Sequence, residues 1–248
     1  MTLLQIVHHD PEGGFAVVDK PSGLLSCPGR DPSLHDSVQT RVPLVFPQAT
    51  GSILAHRLDQ WTSGLMVVAL DVATHRNLRV QFERANARTQ SAQRSATTRE
   101  AGWLGAFEAR TVEKVYEAEL VGDVVGDHGL LALPFRLDVD RRPHQIYDLV
   151  HGKLGLTRWR VLRRTVIDVT IRNMTAHRTR VAFEPHTGRT HQLRTHAAHP
   201  LGLNAAIAGD ALYGDPSTSP RLLLHARELR FDHPVTGARL TFTSPTPF

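Results

Sequence analysis

The sequence predicts an α+β fold, built on a mostly antiparallel mixed β-sheet with flanking helices. Segments with strand periodicity outnumber segments with helical periodicity, and no internal repeat or regular strand–helix–strand alternation occurs. The hydrophobic share of 41% over 248 residues is enough to build a full-sized core without disulfides or metals. A single α+β domain is therefore expected over residues 1–248.

The first part of the chain contains two apolar strands followed by a helix. Residues 15–19 indicate a short buried strand that ends at the turn-forming sequence Lys-Pro-Ser-Gly. Residues 63–70 are apolar on both faces, which is typical of a central strand. Asp71 is a helix N-cap, and Leu78 and Phe82 lie four residues apart on the inner face of the helix that follows.

Residues 85–108 differ in composition from the rest of the chain. They contain almost no large apolar side chain before Trp103. Such a segment cannot bury enough surface to offset the entropy lost on ordering, so it predicts a mobile insertion or a frayed extension of the helix. Because it is basic, contact with RNA is conceivable, although a solvated loop is the simpler interpretation.

Alternating polarity predicts the remaining elements. Half-buried strands are expected at 116–120, 158–161, 167–171 and 181–183. A short helix is expected at 190–199, after the turn at 186–188. Two further strands are expected at 222–224 and 239–242.

The charge balance favours a polyanionic partner. The net charge is +5, the isoelectric point is about 10.0, and 26 of the 29 basic residues are arginine. Arginine suits bidentate contact with phosphate and stacking on bases, which favours nucleic acid, although genome base composition also produces an arginine bias.

The sequence excludes several protein classes. The single cysteine, Cys27, cannot form an internal disulfide, which argues against a secreted scaffold and predicts a reducing cytoplasm. No signal peptide is visible, and no apolar run reaches the length of a membrane span.

No cofactor or metal is expected from the motifs. The sequence contains no dinucleotide-binding fingerprint, no P-loop and no serine-hydrolase elbow. The densest histidine group, His191, His196 and His199, lacks the spacing that zinc hydrolases use. Cys27 lies in a Pro/Gly-rich loop with no catalytic motif around it.

Polar residues cluster just before the predicted central strand. Arg57 and Asp59 are two positions apart, so in extended chain they face the same side and would address one cleft. Arg194 supplies a further cation near the start of a predicted helix. The spacing alone leaves two interpretations of Asp59 open, a turn cap and a functional carboxylate.

Six motifs then occur in a characteristic order. They are Val-Asp-Lys-Pro-Ser-Gly-Leu-Leu at 18–25, His-Arg-Leu-Asp at 56–59 with Thr-Ser-Gly at 62–64, Lys-Val-Tyr-Glu-Ala at 114–118, Thr-Gly-Arg-Thr-His-Gln-Leu-Arg-Thr-His at 187–196, Gly-Asp-Ala-Leu-Tyr-Gly at 209–214, and Leu-Leu-His-Ala at 223–226. In these blocks the chain resembles the RluA family of pseudouridine synthases, along nearly its whole length. The resemblance implies the pseudouridine synthase fold with a central catalytic cleft.

The resemblance also implies roles for five residues. Asp59 matches the catalytic aspartate that attacks the target uridine, and Arg194 matches the arginine that ion-pairs with it. Tyr116 matches the tyrosine that stacks on the target base and takes part in proton removal. Arg57 matches the residue that fills the space left by the flipped base, and Leu193 matches an apolar pocket residue. Isomerisation of uridine involves no redox step and no group donor, which agrees with the missing cofactor motifs.

The implied substrate is structured RNA. Residues 20–30, 36–38 and 221–248 look most like the family member that acts on both 23S ribosomal RNA and the tRNA anticodon stem-loop. The segment at 85–108 and the loop at 203–208 depart from the family pattern, and the S4-like RNA-binding domain of many relatives is expected to be absent. We expect a cytoplasmic monomer with no obligate protein partner and no membrane association.

Three alternatives remain open from the sequence. The chain is a family member with a ribosomal or a tRNA target only, a non-catalytic RNA-binding or folding factor that retains the pocket, or a glycosidase that uses Asp59 with Glu184. Two carboxylates would serve the last reaction, but a basic cleft suits a polyanion better than a neutral sugar.

Overall fold

The computed structural model describes residues 4–95, 111–169 and 174–248. The chain divides into two compact units. Unit 1 comprises Met1–Lys114 with His225–Pro247, and unit 2 comprises Val115–Leu224 with Phe248. The prediction that residues 1–248 form a single domain stays a prediction.

Unit 1 contains a sheet in which β1, β2, β3 and β9 are neighbours in that order, and β10 pairs with β9. Strand β3 pairs with β9 in parallel, and the other strand pairs among the described residues of this unit are antiparallel. The elements are β1 (Gln5–Asp10), β2 (Phe15–Lys20), a 3-10 turn (Pro32–Leu34), α1 (Val38–Val45), β3 (Ser63–Ala69), α2 (Val72–Ser95), β9 (Leu224–Asp232) and β10 (Arg239–Thr243).

The core of unit 1 lies between this sheet and helix α2. Every residue of β3 is buried, as predicted for a central strand. The Asp71 carboxylate accepts a hydrogen bond from the Thr74 N–H at 2.8 Å, so the predicted N-cap is confirmed. Leu78 and Phe82 are buried against the sheet.

Unit 2 contains a second antiparallel run of strands, in the order β4, β8, β7, β5 and β6. The elements are β4 (Val112–Val121), β5 (His128–Leu137), β6 (Gln145–Tyr147), β7 (Lys153–Val169), β8 (Met174–Pro185), α3 (Gln192–Ala198) and a 3-10 turn (Pro216–Thr218). Strands β4 and β9 each have residues in both units. The predicted α+β class with a mostly antiparallel mixed sheet is confirmed.

Strand β4 corrects one prediction. Alternation had indicated a half-buried strand with Glu117 and Glu119 exposed, but both glutamates are buried. The Arg180 guanidinium on the neighbouring strand β8 lies 2.7 Å from the Glu117 carboxylate and 3.6 Å from that of Glu119. Buried carboxylates need such a partner, and strand periodicity carries no information about it.

The segment predicted as an insertion is partly helical. Helix α2 continues to Ser95, so its first part extends the helix, while residues 96–110 lie outside the described residues. The strand expected at 222–224 begins only at Leu224. Strands β1 and β5 and helix α1 had not been predicted. Helix α1 begins at a capping box in which Ser37 and Thr40 bond each other's backbone N–H. No helix of the described residues is long and apolar enough to cross a membrane.

Candidate functional site

Asp59 opens a tight turn in unit 1, immediately before β3. The Thr62 N–H donates to the Asp59 carbonyl at 3.1 Å, which places Gln60 and Trp61 at the two central positions of the turn. The Asp59 side chain is partly buried. The turn therefore presents the predicted catalytic carboxylate at a position that the backbone defines.

The buried side chain of Lys20 holds the Asp59 turn through hydrogen bonds. The Lys20 Nζ donates to the carbonyls of Pro21 at 3.0 Å, Leu24 at 2.7 Å and Gln60 at 2.8 Å. An ammonium group has three N–H donors, so three carbonyl acceptors match its protonated form. Lys20 thus joins the end of β2 to the turn that carries Asp59.

The loop after Lys20 adds two more contacts to the turn. The Gly23 N–H donates to the Gln60 carbonyl at 2.9 Å, and the Ser22 hydroxyl donates to the Trp61 carbonyl at 2.8 Å. The backbone at the two central turn positions is therefore held by neighbouring chain as well as by the turn itself, which leaves it little freedom to move.

Electrostatics link Lys20 with Asp59. Burial lowers the pKa of Lys20 to about 7, against the opposing attraction of the Asp59 and Asp19 carboxylates. The Lys20 side chain is fully buried. Lys20 and Asp59 therefore attract each other electrostatically within unit 1.

The residues on either side of Arg57 are anchored as well. The Ser26 hydroxyl donates to the Leu58 carbonyl at 2.7 Å, and the Leu58 N–H donates to the same hydroxyl at 3.0 Å. The His56 Nε2 accepts from the Val67 N–H at 3.1 Å. Arg57 itself is exposed. The role of Arg57 in filling the space of the flipped base stays a prediction.

A buried hydrogen-bonded chain lies where β3 begins. The Ser63 hydroxyl is 2.9 Å from His225 Nδ1, and His225 Nε2 is 3.2 Å from the Ser244 hydroxyl. Ser244 in turn donates to Asp19 in a short hydrogen bond. This chain connects the Thr-Ser-Gly motif to the Leu-Leu-His-Ala motif, so the two motifs serve one local structure.

The other predicted site residues belong to unit 2. Tyr116 lies on β4 opposite Phe183 of β8, and its side chain is almost fully buried. Leu193 and Arg194 are consecutive residues of α3, and both are buried. The structure thus divides the predicted set between the units, with Arg57 and Asp59 in one and Tyr116, Leu193 and Arg194 in the other.

Arg194 forms a buried bidentate ion pair with Asp210. Its Nε and Nη2 lie 2.8 and 2.6 Å from the two carboxylate oxygens, and the exposed fractions of the two side chains are 5% and 1%. Burial alone would raise the pKa of Asp210, but the guanidinium and the N–H groups of Leu212 and Tyr213 outweigh it and lower that pKa. The Arg194 guanidinium also lies over the Tyr213 ring, 5.2 Å from its centroid.

Asp210 is a buried partner of Arg194 that the sequence analysis did not single out. The family resemblance assigned Asp59 as the ion-pair partner of Arg194, and that assignment stays a prediction. Within unit 2, Nε and Nη2 of the guanidinium are committed to Asp210. The conspicuous Gly-Asp-Ala-Leu-Tyr-Gly motif was the available signal, since a charged residue inside an otherwise apolar motif indicates a specific partner.

Tyr213 ties α3 to the rest of unit 2. The Tyr213 hydroxyl accepts from the Gln145 N–H at 2.8 Å and lies 2.8 Å from His191 Nδ1. His191 precedes α3 with a left-handed backbone, φ 54°, which is rarely adopted by residues other than glycine. The hydrogen bond and the ring contact with Tyr213 offset that strain and set the direction in which α3 leaves the turn.

His196 of α3 is expected to make the protein sensitive to acid. Desolvation lowers the pKa of this fully buried imidazole to about 4. In the unfolded chain this imidazole binds a proton near pH 6.5, whereas in the folded chain it stays neutral until about pH 4. The free energy of unfolding therefore falls as the pH is lowered from about 6.5 toward 4. The slope attributable to this one group is about 1.4 kcal/mol per pH unit.

Urea unfolding of the wild type and of His196→Leu between pH 8 and 4.5 measures this effect. The variant should lose about 1.4 kcal/mol per pH unit less than the wild type below pH 6. The difference in the free energy of unfolding between the two proteins should be constant between pH 7 and 8. This constant difference measures any change in packing and serves as the internal control. If the free energies of unfolding of the two proteins changed in parallel throughout the acidic range, His196 would have the same pKa in the folded and the unfolded state.

Comparison with known proteins identifies relatives over nearly the whole chain. A family model described as RNA pseudouridylate synthase matches residues 14–199. Dual-specificity RNA pseudouridine synthase RluA from Haemophilus influenzae is 37% identical over 248 residues, covering 99% of this chain and 94% of the relative. The protein of the same name from Escherichia coli strain K12 gives the same identity and coverage.

Solved structures agree with this comparison. Human RNA Pseudouridylate Synthase Domain Containing 1 superimposes with a TM-score of 0.66 at 27% identity, covering 99% of this chain and 84% of that one. Human RNA Pseudouridylate Synthase Domain Containing 4 has a TM-score of 0.64 at 21% identity, and it supports the fold.

Proposed function

Because the chain belongs to the RNA pseudouridylate synthase family, we propose that it isomerises uridines of both 23S ribosomal RNA and the tRNA anticodon stem-loop, with Asp59 as the nucleophile. The protein is an RNA pseudouridine synthase, an isomerase. The observation that carries the assignment of the nucleophile is the Asp59 turn, which Lys20 and the loop after it hold in one conformation. The name of the bacterial relatives, which specifies dual specificity, supports two substrates.

The reaction needs a nucleophile, a place for the extruded base and a proton acceptor. The N1–C1′ bond of uridine breaks, a C5–C1′ bond forms, the proton on C5 leaves and N1 gains one, so no electrons are gained or lost overall. Asp59 attacks the nucleoside and releases the base for rotation. A carboxylate is competent for this step only when ionised.

The remaining predicted residues support base flipping. Removing a uridine from its stack costs roughly a few kcal/mol. Arg57 fills the vacated position, and Tyr116 stacks on the extruded base and assists removal of the C5 proton. Leu193 and Tyr116 exclude water during the rotation of the base. In this proposal Arg194, which forms two hydrogen bonds with Asp210, is the ion-pair partner of Asp59.

Two transcripts test the proposed targets. The purified protein is incubated with a 23S ribosomal RNA fragment or a tRNA anticodon stem-loop, and pseudouridine is mapped by chemical labelling and reverse transcription. We expect a modified uridine in each RNA and none in an unstructured RNA of the same composition. Modification of one RNA only would overturn the dual target, and modification of neither would overturn the proposed function.

We further propose that the protein acts as a monomer in the cytoplasm. The single cysteine suits a reducing compartment, and the two proposed RNAs are found there. The proposal requires no protein partner, because each predicted role is assigned to a residue of this chain.

A further inference from the structure

Trp61 is an exposed aromatic side chain on the turn that begins with Asp59. Its exposed fraction is 50%. The other exposed large apolar side chains in the described part of the chain are valines and leucines, so the indole is unlike the rest of that surface. The predicted catalytic turn therefore carries a half-exposed aromatic face.

The turn holds this indole in a fixed place. The Ser22 hydroxyl donates to the Trp61 carbonyl at 2.8 Å, and the preceding Gln60 carbonyl accepts from Lys20 Nζ and the Gly23 N–H. The indole also lies against Gly23, where an added Cβ would come within 3.4 Å of the ring. The indole ring therefore packs beside the Gly23 backbone.

A fixed, half-exposed aromatic ring is suited to stacking on a nucleobase. Little conformational entropy is lost when such a ring binds, and every base offers a π-face, so the contact tolerates different sequences. Arg57, four residues earlier in the same loop, is exposed and carries a positive charge that attracts RNA phosphates. Two RNAs with different surroundings of the target uridine would share a contact of this kind.

We propose that Trp61 is a substrate-positioning residue that stacks on a nucleotide flanking the target uridine of the RNA. This inference rests on the proposed function, because it names the RNA contact of the same site. Trp61 then contributes to the affinity for the stem-loop, and Asp59 carries out the chemical step.

Steady-state kinetics of Trp61 variants test the proposal with the anticodon stem-loop as the probe. Trp61→Ala should raise KM by about 10- to 100-fold, the range expected for loss of one base–aromatic stack. Its kcat at saturating RNA should stay within about twofold, because the turn backbone bonds do not involve the indole. Trp61→Phe keeps an aromatic face and should stay within about threefold of the wild-type KM.

A fluorescent base identifies the stacked nucleotide. With 2-aminopurine placed on either side of the target uridine, binding should quench one of the two positions in the wild type and in Trp61→Phe, and quench it less in Trp61→Ala. Val235→Ala, which truncates another exposed apolar side chain of unit 1 (71% exposed), is the matched control and should keep the wild-type KM.

The outcomes separate this inference from the proposed function. A wild-type protein that modifies the stem-loop while Trp61→Ala has an unchanged KM would overturn the stacking role and leave the proposed function intact. A fall in kcat with unchanged KM would make Trp61 a support of the turn and would also overturn it. A wild-type protein that modifies neither RNA would overturn the proposed function itself.

Discussion

Replacement of Asp59 by alanine is expected to reduce pseudouridine formation by at least about 10⁴-fold, because no other group in the reaction can take over the attack on the nucleoside. The affinity for the stem-loop should change by only a few-fold, since the nucleophile contributes little to the binding of a polyanion. Single-turnover conversion of the RNA measures the first effect, and filter binding measures the second.

A matched control separates the nucleophile from a general loss of negative charge. Asp140→Asn removes an exposed carboxylate of unit 2 and should keep turnover within about twofold. Turnover retained in Asp59→Ala would rule out Asp59 as the nucleophile. Loss of RNA binding together with turnover in that variant would instead make Asp59 part of the docking surface.

Breaking the Arg194–Asp210 ion pair is expected to destabilise the protein by about 3–5 kcal/mol, as is typical when one partner of a buried pair is removed. In Asp210→Asn, the Arg194 guanidinium loses the charged acceptor of its Nε and Nη2 hydrogen bonds. The guanidinium and the new amide both remain buried. Activity should fall more than the unfolded fraction accounts for, because Arg194 loses its orientation. Urea unfolding at neutral pH and single-turnover assays give the two quantities.

The double variant Arg194→Met/Asp210→Leu distinguishes stability from function. Replacing both charges by apolar groups of similar size should recover most of the lost stability, since no buried charge is then left without its partner. Pseudouridine formation should stay at or below the level of Asp210→Asn, because the cation is gone. An active double variant would show that the ion pair serves the fold alone.

Strand β3 and the first part of helix α2 were predictable because their apolar pattern is local. The apolar run of β3, the Asp71 cap and the spacing of Leu78 and Phe82 each follow from a few neighbouring residues, and the structure confirms them. The burial of Glu117 was not predictable in this way. Its partner Arg180 is 63 residues away, and strand periodicity cannot anticipate an ion pair formed by sheet pairing.

In the candidate site, too, some features could be predicted from the sequence and others could not. The motifs around Asp59, Tyr116 and Arg194 predicted the site residues, and the roles of these residues stay predictions. The support of the Asp59 turn by Lys20 could not be inferred, since it joins residues 40 positions apart through a side chain and a carbonyl. Nor could the commitment of Arg194 to Asp210 be inferred, since spacing alone gives a buried guanidinium no unique partner.

The linear order of residues therefore determined the class of fold and the family of this protein, and it predicted the groups that carry the chemistry. Only the tertiary structure showed that two nitrogens of Arg194 bind the Asp210 carboxylate. It also showed that Lys20 is buried under the Asp59 turn and that the Trp61 indole of the same turn is half exposed. The physical reason is that composition and periodicity report the preferences of single residues and near neighbours. Buried charges and exposed rings depend instead on which distant segments the folded chain brings into contact.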